Sequence, residues 1–285
     1  MLIKGCRTDL AVESLEISKQ DNIGKLSGVI SKTENLSGFS VTTVEITPDE
    51  AAEKIGKPIG VYDTIVIDAL ARREEDSFTS ACKIISSCIK KLLPKNDSSP
   101  AFVLGLGNRQ ITPDAIGPFS CEYLLATRHL IDKEPDLFSN WRSVSVISSG
   151  VLGQTGIEVS ELAKGIIEQI NPSVVIAIDA LAAGDADRLC KTIQLSNTGI
   201  VPGSGVQNSR AALNEKTLGV PVISIGAPTV IDASSLISEN TKTPLFVTTR
   251  DIDKDVNDIS RVIGYALNMA FQPNLTPETI DLYLS

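Results

Sequence analysis

The sequence predicts an α/β fold: a single domain with a mostly parallel central sheet flanked by helices. Two observations carry this. Short apolar runs of strand length alternate with amphipathic segments of helix length through residues 101–271, and the apolar runs give way to glycine, aspartate or proline. No stretch is long enough, or biased enough, to serve as a linker between domains. Strands alternating with helices are the pattern of parallel pairing with both sheet faces covered.

The first hundred residues are the least regular. VTTVEIT (41–47) and GVYDTIVIDA (60–69) read as strands, DSFTSACKIISSCIKKLL (76–93) as a helix, and KNDSSP (95–100) as a polar loop. AFVLGLGN (101–108) is an apolar run ending in glycines, hence a buried strand. PFSCEYLLATRHLI (118–131) has helical spacing, with Pro118 suited to a first turn. SVSVISSG (143–150) is strand-like, and TGIEVSELAKGIIEQI (155–170) is an amphipathic helix in which Thr155 and Glu158 have capping-box spacing. SVVIAIDA (173–180), LCKTIQL (189–195) and PVISIGAP (221–228) complete the strands. DVNDISRVIGYALNMAF (255–271) supplies a last helix.

Composition removes several function classes. The chain of 285 residues carries a formal net charge of −9 and no run of Lys or Arg, so direct binding to nucleic acid is not expected. No segment reads as a signal peptide or a membrane span, which leads to an expectation of a cytoplasmic protein without membrane contact. The five cysteines form no CxxC pair and read as reduced thiols. The one histidine, His129, sits beside Arg128 on an amphipathic segment, so most zinc sites and a Ser-His-Asp triad are poor readings. GLGN (105–108) begins like a dinucleotide loop but has Gln110 where the pattern needs glycine, and no Walker motif is present. Neither a metal nor a cofactor is expected.

Chemistry is then sought beyond the carboxyl ends of the strands, where ligands bind in open α/β sheets. Asp114 lies in GNRQITPDAIGP, the loop leaving 101–108. Asp179 closes SVVIAID, and the glycine-rich loop LSNTGIVPGSGVQN (195–208) follows another strand. Two carboxylates brought together cannot both ionise easily, so one can hold a proton while the other activates water. Each also has a structural reading, as a helix cap or a buried hydrogen-bond acceptor. Ser204 in PGSGV lacks the G-x-S-x-G elbow, although the N–H groups of its loop could line a peptide site. The tetrapeptide IDAL occurs at 67–70 and again at 178–181, and a structural role suits Asp68 better than catalysis.

Longer blocks add a resemblance. RTDLAVE (7–13), GLGNRQITPDAIGP (105–118), ATRHL (126–130), GVLGQTGIEVSELAKGIIEQINPSVVIAIDALAA (150–183), TIQLSNTGIVPGSGVQNSR (192–210) and LGVPVISIGAPTVIDA (218–233) appear in the order found in the germination protease (spore protease) family, which the chain resembles over most of its length. The resemblance implies an atypical aspartic-type endopeptidase with a fold related to hydrogenase-maturation proteases. Such an enzyme begins the degradation of small acid-soluble spore proteins, cutting after glutamate, in the forespore or spore core. It implies Asp114 and Asp179 as the catalytic acids. It further implies a zymogen that cuts itself at Asp9–Leu10, leaving 1–9 as propeptide and 10–285 as the peptidase domain, and assembly as a homotetramer. Gly184 departs from the family pattern, which leads one to expect a basic residue there. Two other readings stand beside this one: a metal-dependent maturation-type peptidase using Asp114, Asp179 and Glu158, and a non-catalytic, sporulation-associated binding protein of the same fold.

Overall fold

The computed structural model describes residues 8–20, 27–95, 99–206, 210–233 and 245–285. Residues 1–7 of the expected propeptide lie outside them. Nine strands form one sheet: β1 (Val29–Leu36), β2 (Phe39–Ile46), β3 (Gly60–Val66), β4 (Ala101–Gly105), β5 (Val144–Ser148), β6 (Val174–Ala183), β7 (Thr192–Ser196), β8 (Val222–Asp232) and β9 (Phe246–Val247). Their order is β1-β2-β3-β7-β8-β6-β4-β5, with β9 on β8.

The α/β class holds, and the sheet is mixed. Parallel pairing is confined to β8-β6-β4-β5. Strands β1, β2, β3 and β7 form an antiparallel wing, and β7 and β9 also run antiparallel to β8. The wing contains a strand not anticipated from sequence. β1 is polar and mostly exposed, so it lacks the apolar alternation that marks a half-buried strand, and it is held by a two-residue turn at Ser37 and Gly38, both at positive φ.

Side chains alternate across β4 and β6 in the manner of a sheet covered on both faces. Val103, Ile176 and Ile178 pack under helices Ser77–Leu92 and Ile252–Phe271. Phe102, Leu104, Val175 and Ala177 pack with Ala163 of helix Val159–Ile170. Full burial of a Leu, Ile or Phe side chain contributes about 1.5–3 kcal/mol, and these strands bury nearly every residue.

Two helical expectations change. The segment 118–131 is broken into Ile116–Glu122 and Arg128–Lys133. At the break, the buried Asn268 amide donates to Tyr123 O and accepts from Leu125 N, replacing bonds a continuous helix would make internally. The capping box at Thr155 and Glu158 does not form. Thr155 ends a separate turn, Leu152–Thr155, where its hydroxyl bonds Ile157, and the longer helix begins at Val159 with no side-chain cap from Glu158.

Candidate functional site

The two copies of IDAL adopt different structures. After β3 ends at Val66, Asp68 starts a short helix, Asp68–Ala71, away from the site cavity. The second copy runs on as strand because β8 continues beside it, pairing Asp179 with Gly226, Ala180 with Ala227 and Leu181 with Pro228. Asp179 is therefore not the last residue of its strand, as the sequence suggested. It stands just past the point where β4 stops, since Gly105 is the last β4 residue paired with β6, opposite Ile178. Strand β6 outruns its neighbour and opens a crevice with Asp179 at its base.

Asp114 reaches this crevice from the loop after β4. Gly107 has φ +108°, and a Cβ there would lie 2.0 Å from Asp114 O, so the loop can fold this tightly only with glycine. The return is fixed by Asn108 N donating to Asp114 Oδ2 at 2.8 Å and by Asp114 N donating to Ile111 O at 2.7 Å. From the sheet, the buried Thr229 hydroxyl of β8 donates to Pro113 O at 2.5 Å. Asp114 and Asp179 line one cavity of about 530 Å³, together with Leu106, Glu158, Arg210 and Thr229.

The electrostatics separate the two acids. Asp179 is 6% exposed, and its carboxylate accepts a hydrogen bond from Ala180 N at 2.9 Å. Burial drives its carboxyl well above the ordinary range, and the neighbouring charge of Asp114 pushes it in the same direction. Asp114 is half-buried and is raised by burial, opposed by its bond from Asn108 N. Both carboxyls are thus shifted toward their protonated forms, Asp179 the more strongly.

The N-terminal segment lies in the same place. The alternation that turns Ile178 O toward Leu106 N also turns Ala182 to the edge that β4 has vacated. Asp9 bonds that edge: Asp9 N donates to Ala182 O, and Ala182 N donates to Asp9 Oδ2, both at 2.9 Å. Asp9 Oδ1 accepts from Ser204 Oγ at 2.8 Å. Asp9 O accepts from Lys57 Nζ at 3.0 Å and from Gln194 Nε2 at 3.1 Å. Leu10 is fully buried against Leu181 and Ala183. Helix Ala11–Gln20 is anchored by the buried Glu13, whose carboxylate accepts from Gly184 N and Asp185 N and faces Arg188. The departure noted at Gly184 thus falls where a backbone N–H, rather than a basic side chain, meets this acid.

The loop 197–206 reaches the crevice by an unexpected route. Because β7 is antiparallel to β8, this loop leaves from the opposite end of the sheet and crosses its face, pinned by the Ile200–Leu213 bridge. Ser204 comes from it as a donor to Asp9 rather than as a nucleophile. His129 is exposed and outside the cavity. The described cysteines, Cys82, Cys88, Cys121 and Cys190, are free, and burial pushes Cys82, Cys121 and Cys190 to about 12. Among the described residues no group of three or more His, Cys, Asp or Glu side chains is placed to hold a metal ion. Nor is any helix among them long and apolar enough to cross a membrane. Sequence reasoning missed Lys57, Gln194 and Glu13. Only Gln194, polar inside the buried run TIQLS, left a local signal.

An N-terminal segment bonded to a sheet edge through Asp9, beside a buried and a half-buried carboxylate, has the layout of a peptide-processing site on an α/β scaffold. The sequence profile of the germination protease family matches residues 7–243. The chain is similar to the germination protease of Clostridium perfringens, 37% identical over 98% of this chain and 99% of that one. It is equally similar to that of Caldanaerobacter subterraneus, 37% identical over 100% of this chain and 99% of that one. The Priestia megaterium germination protease is 43% identical over 82% of this chain and 65% of its own length. Among solved structures, the [NiFe] hydrogenase maturation protease HycI from Thermococcus kodakarensis matches 63% of this chain and 98% of its own, with TM-score 0.37 and 15% identity. The chain belongs to the germination protease family, a family of peptidases.

Proposed function

We propose that this protein is an aspartate-dependent endopeptidase that begins the degradation of small acid-soluble spore proteins at germination, cutting after glutamate. The observation that carries this reading is the convergence of Asp114 and Asp179 on one cavity, where burial raises both carboxyls and raises Asp179 the more. Ionised Asp114 takes a proton from the water that attacks the peptide carbonyl carbon. When the C–N bond breaks, Asp179 gives its proton to the departing amine. The products are a new carboxyl and a new amine, and transfer of one proton from Asp114 back to Asp179 restores the pair.

The same chemistry acts first on the chain itself, at Asp9–Leu10, releasing residues 1–9 and leaving 10–285 as the mature peptidase. Family membership supports assembly as a homotetramer working in the forespore or spore core. The site needs no cofactor for this mechanism, and the metal-dependent alternative draws no support from an all-carboxylate set of Asp114, Asp179 and Glu158, which among the described residues form no cluster placed to hold an ion, with His129 outside the cavity.

Incubating the full-length chain with a small acid-soluble spore protein and sequencing the new N-termini tests this reading. The predicted products are a chain beginning at Leu10 and substrate fragments cut after glutamate. Fragments cut after other residues, with the chain's own N-terminus intact, would refute it. Sedimentation of the full-length chain checks the tetramer, and a stable monomer at micromolar concentration would refute that part.

A further inference from the structure

Every main-chain and side-chain polar atom of Asp9 is matched. Its N–H meets Ala182 O; its carbonyl takes donors from Lys57 and Gln194; its two carboxylate oxygens take one donor each, from Ser204 and from Ala182 N–H. Gly205 closes the pocket, because a Cβ there would lie 2.2 Å from Asp9 Oδ2 and 2.6 Å from Ala182 Cβ. Lys57 Nζ spends its two hydrogen bonds on Thr8 O and Asp9 O, both in the segment that self-cleavage would remove. Once residues 1–9 leave, these donors and the Ala182 edge lose their partners together, inside a pair of adjoining cavities of about 540 and 530 Å³. The part-buried donors of the set, from Lys57, Gln194 and the Ala182 N–H, are costly to leave unmet, so the vacated set selects a ligand with the same pattern of acceptors.

We propose that Ser204, the Ala182 N–H and Gly205 form the subsite that recognises the acidic side chain on the amino side of the cleaved bond, while Lys57 and Gln194 bind the carbonyl of that same residue. The inference rests on the peptidase reading above and deepens it, because Asp9 is then the first occupant of a seat that substrate glutamates fill later. The substrate joins as a short added strand on the β6 edge, with main-chain bonds giving affinity and the carboxylate giving selectivity. Glutamate is one methylene longer than aspartate, so its carboxylate meets the same donors with its main chain set back from them, within the cavity that Asp9 lines. A glutamine in the same seat keeps an acceptor for the Ala182 N–H but loses the charge-assisted bond from the Ser204 hydroxyl, which must turn to accept from its N–H₂; the lost charge is the basis of discrimination. The two donors on the carbonyl are placed where negative charge develops during attack, so they act on either side chain alike.

The test uses full-length chain allowed to process itself, confirmed by mass, and two peptides identical except for Glu or Gln before the cut. Wild-type protein is expected to prefer Glu. Ser204→Ala, at an exposed position, should leave the melting temperature unchanged and reduce the Glu-over-Gln preference by about ten- to a hundredfold, mostly through KM, as loss of a hydrogen bond to a charged group predicts. Lys57→Met should lower kcat for both peptides, with partial rescue by Lys57→Arg. Asp9→Asn should slow self-processing, and Asp9→Glu should restore it. If the protein cuts itself and the peptides, yet the preference is the same in Ser204→Ala as in wild type, the seat is overturned and the peptidase reading survives. If wild-type protein cuts neither itself nor either peptide, the peptidase reading falls and takes the seat with it.

Discussion

Replacing Gly117 with alanine probes how closely the scaffold sets the distance between the two acids. Gly117 lies in the first turn of helix Ile116–Glu122, three residues after Asp114, and rests on the backbone of Leu106, just past β4, and of Ile178 in β6. A methyl group there would stand 2.3 Å from Leu106 O, 2.4 Å from Leu106 N and 2.5 Å from Ile178 O. An ordinary C···O contact is about 3.3 Å, so the helix must retreat by roughly 1 Å. None of the three obstacles is a flexible side-chain end, and Leu106 N and Ile178 O are bonded to each other at 2.8 Å. Such overpacking costs about 1–3 kcal/mol, of which the better helix propensity of alanine returns about 0.5–1. The net cost is up to about 2.5 kcal/mol, so for a chain of this size the melting temperature should fall by up to about 4 °C. The retreat carries Asp114 away from Asp179, and a misplacement of about 1 Å costs on the order of a hundredfold in rate. The assay is kcat/KM on a peptide substrate beside a thermal melt. A variant with wild-type turnover and wild-type stability would refute the claim that this backbone contact sets the site.

Other expectations follow from the same structure. Gly165, exposed in helix Val159–Ile170 with nothing within 4 Å of an added Cβ, should accept alanine with a gain of about 0.5–1 kcal/mol and no change in turnover, measured by denaturant unfolding. Asp179→Asn should stabilise the protein in a pH-dependent way. The folded carboxyl sits above its unfolded value of 3.8, so the wild-type penalty is absent below that pH and grows as pH rises through the folded value; unfolding at pH 3 and pH 7 should show the gain only at pH 7. Turnover should fall at both pH extremes, with each limb displaced upward from ordinary carboxylate values because both acids are raised; a profile flat down to pH 4 would contradict the pairing. Glu13→Ala strands the Gly184 and Asp185 N–H groups and should cost about 1–3 kcal/mol, accompanied by faster amide exchange in residues 10–20.

Much of the parallel half of the fold was legible because its strands announce themselves. Apolar runs such as AFVLG and SVVIAI are buried on both faces, and the rule that ligands sit past strand ends led directly to Asp114 and Asp179. What escaped reading depends on partners distant in sequence. Direction is one case: nothing within TIQLS says that it will run antiparallel to PVISIG. The break at 123–127 depends on Asn268, about 140 residues away. IDAL becomes helix or strand according to whether β8 is beside it, a fact absent from four residues. Lys57 gives no local sign of importance, since its acceptors are carbonyls that any residue could supply. Glu13 reads as an ordinary acid in a helical segment until Gly184 and Asp185 close around it.

The measurement that bears most directly on the central claim is an intact-mass time course of a small acid-soluble spore protein. It is incubated with chains that all begin at Leu10: wild type, Asp114→Asn, Asp179→Asn, and wild type plus chelator. The account predicts fragments from wild type with or without chelator, and an intact substrate with either variant once melting curves confirm that it is folded. Fragmentation by a folded Asp179→Asn variant at the wild-type rate would contradict it.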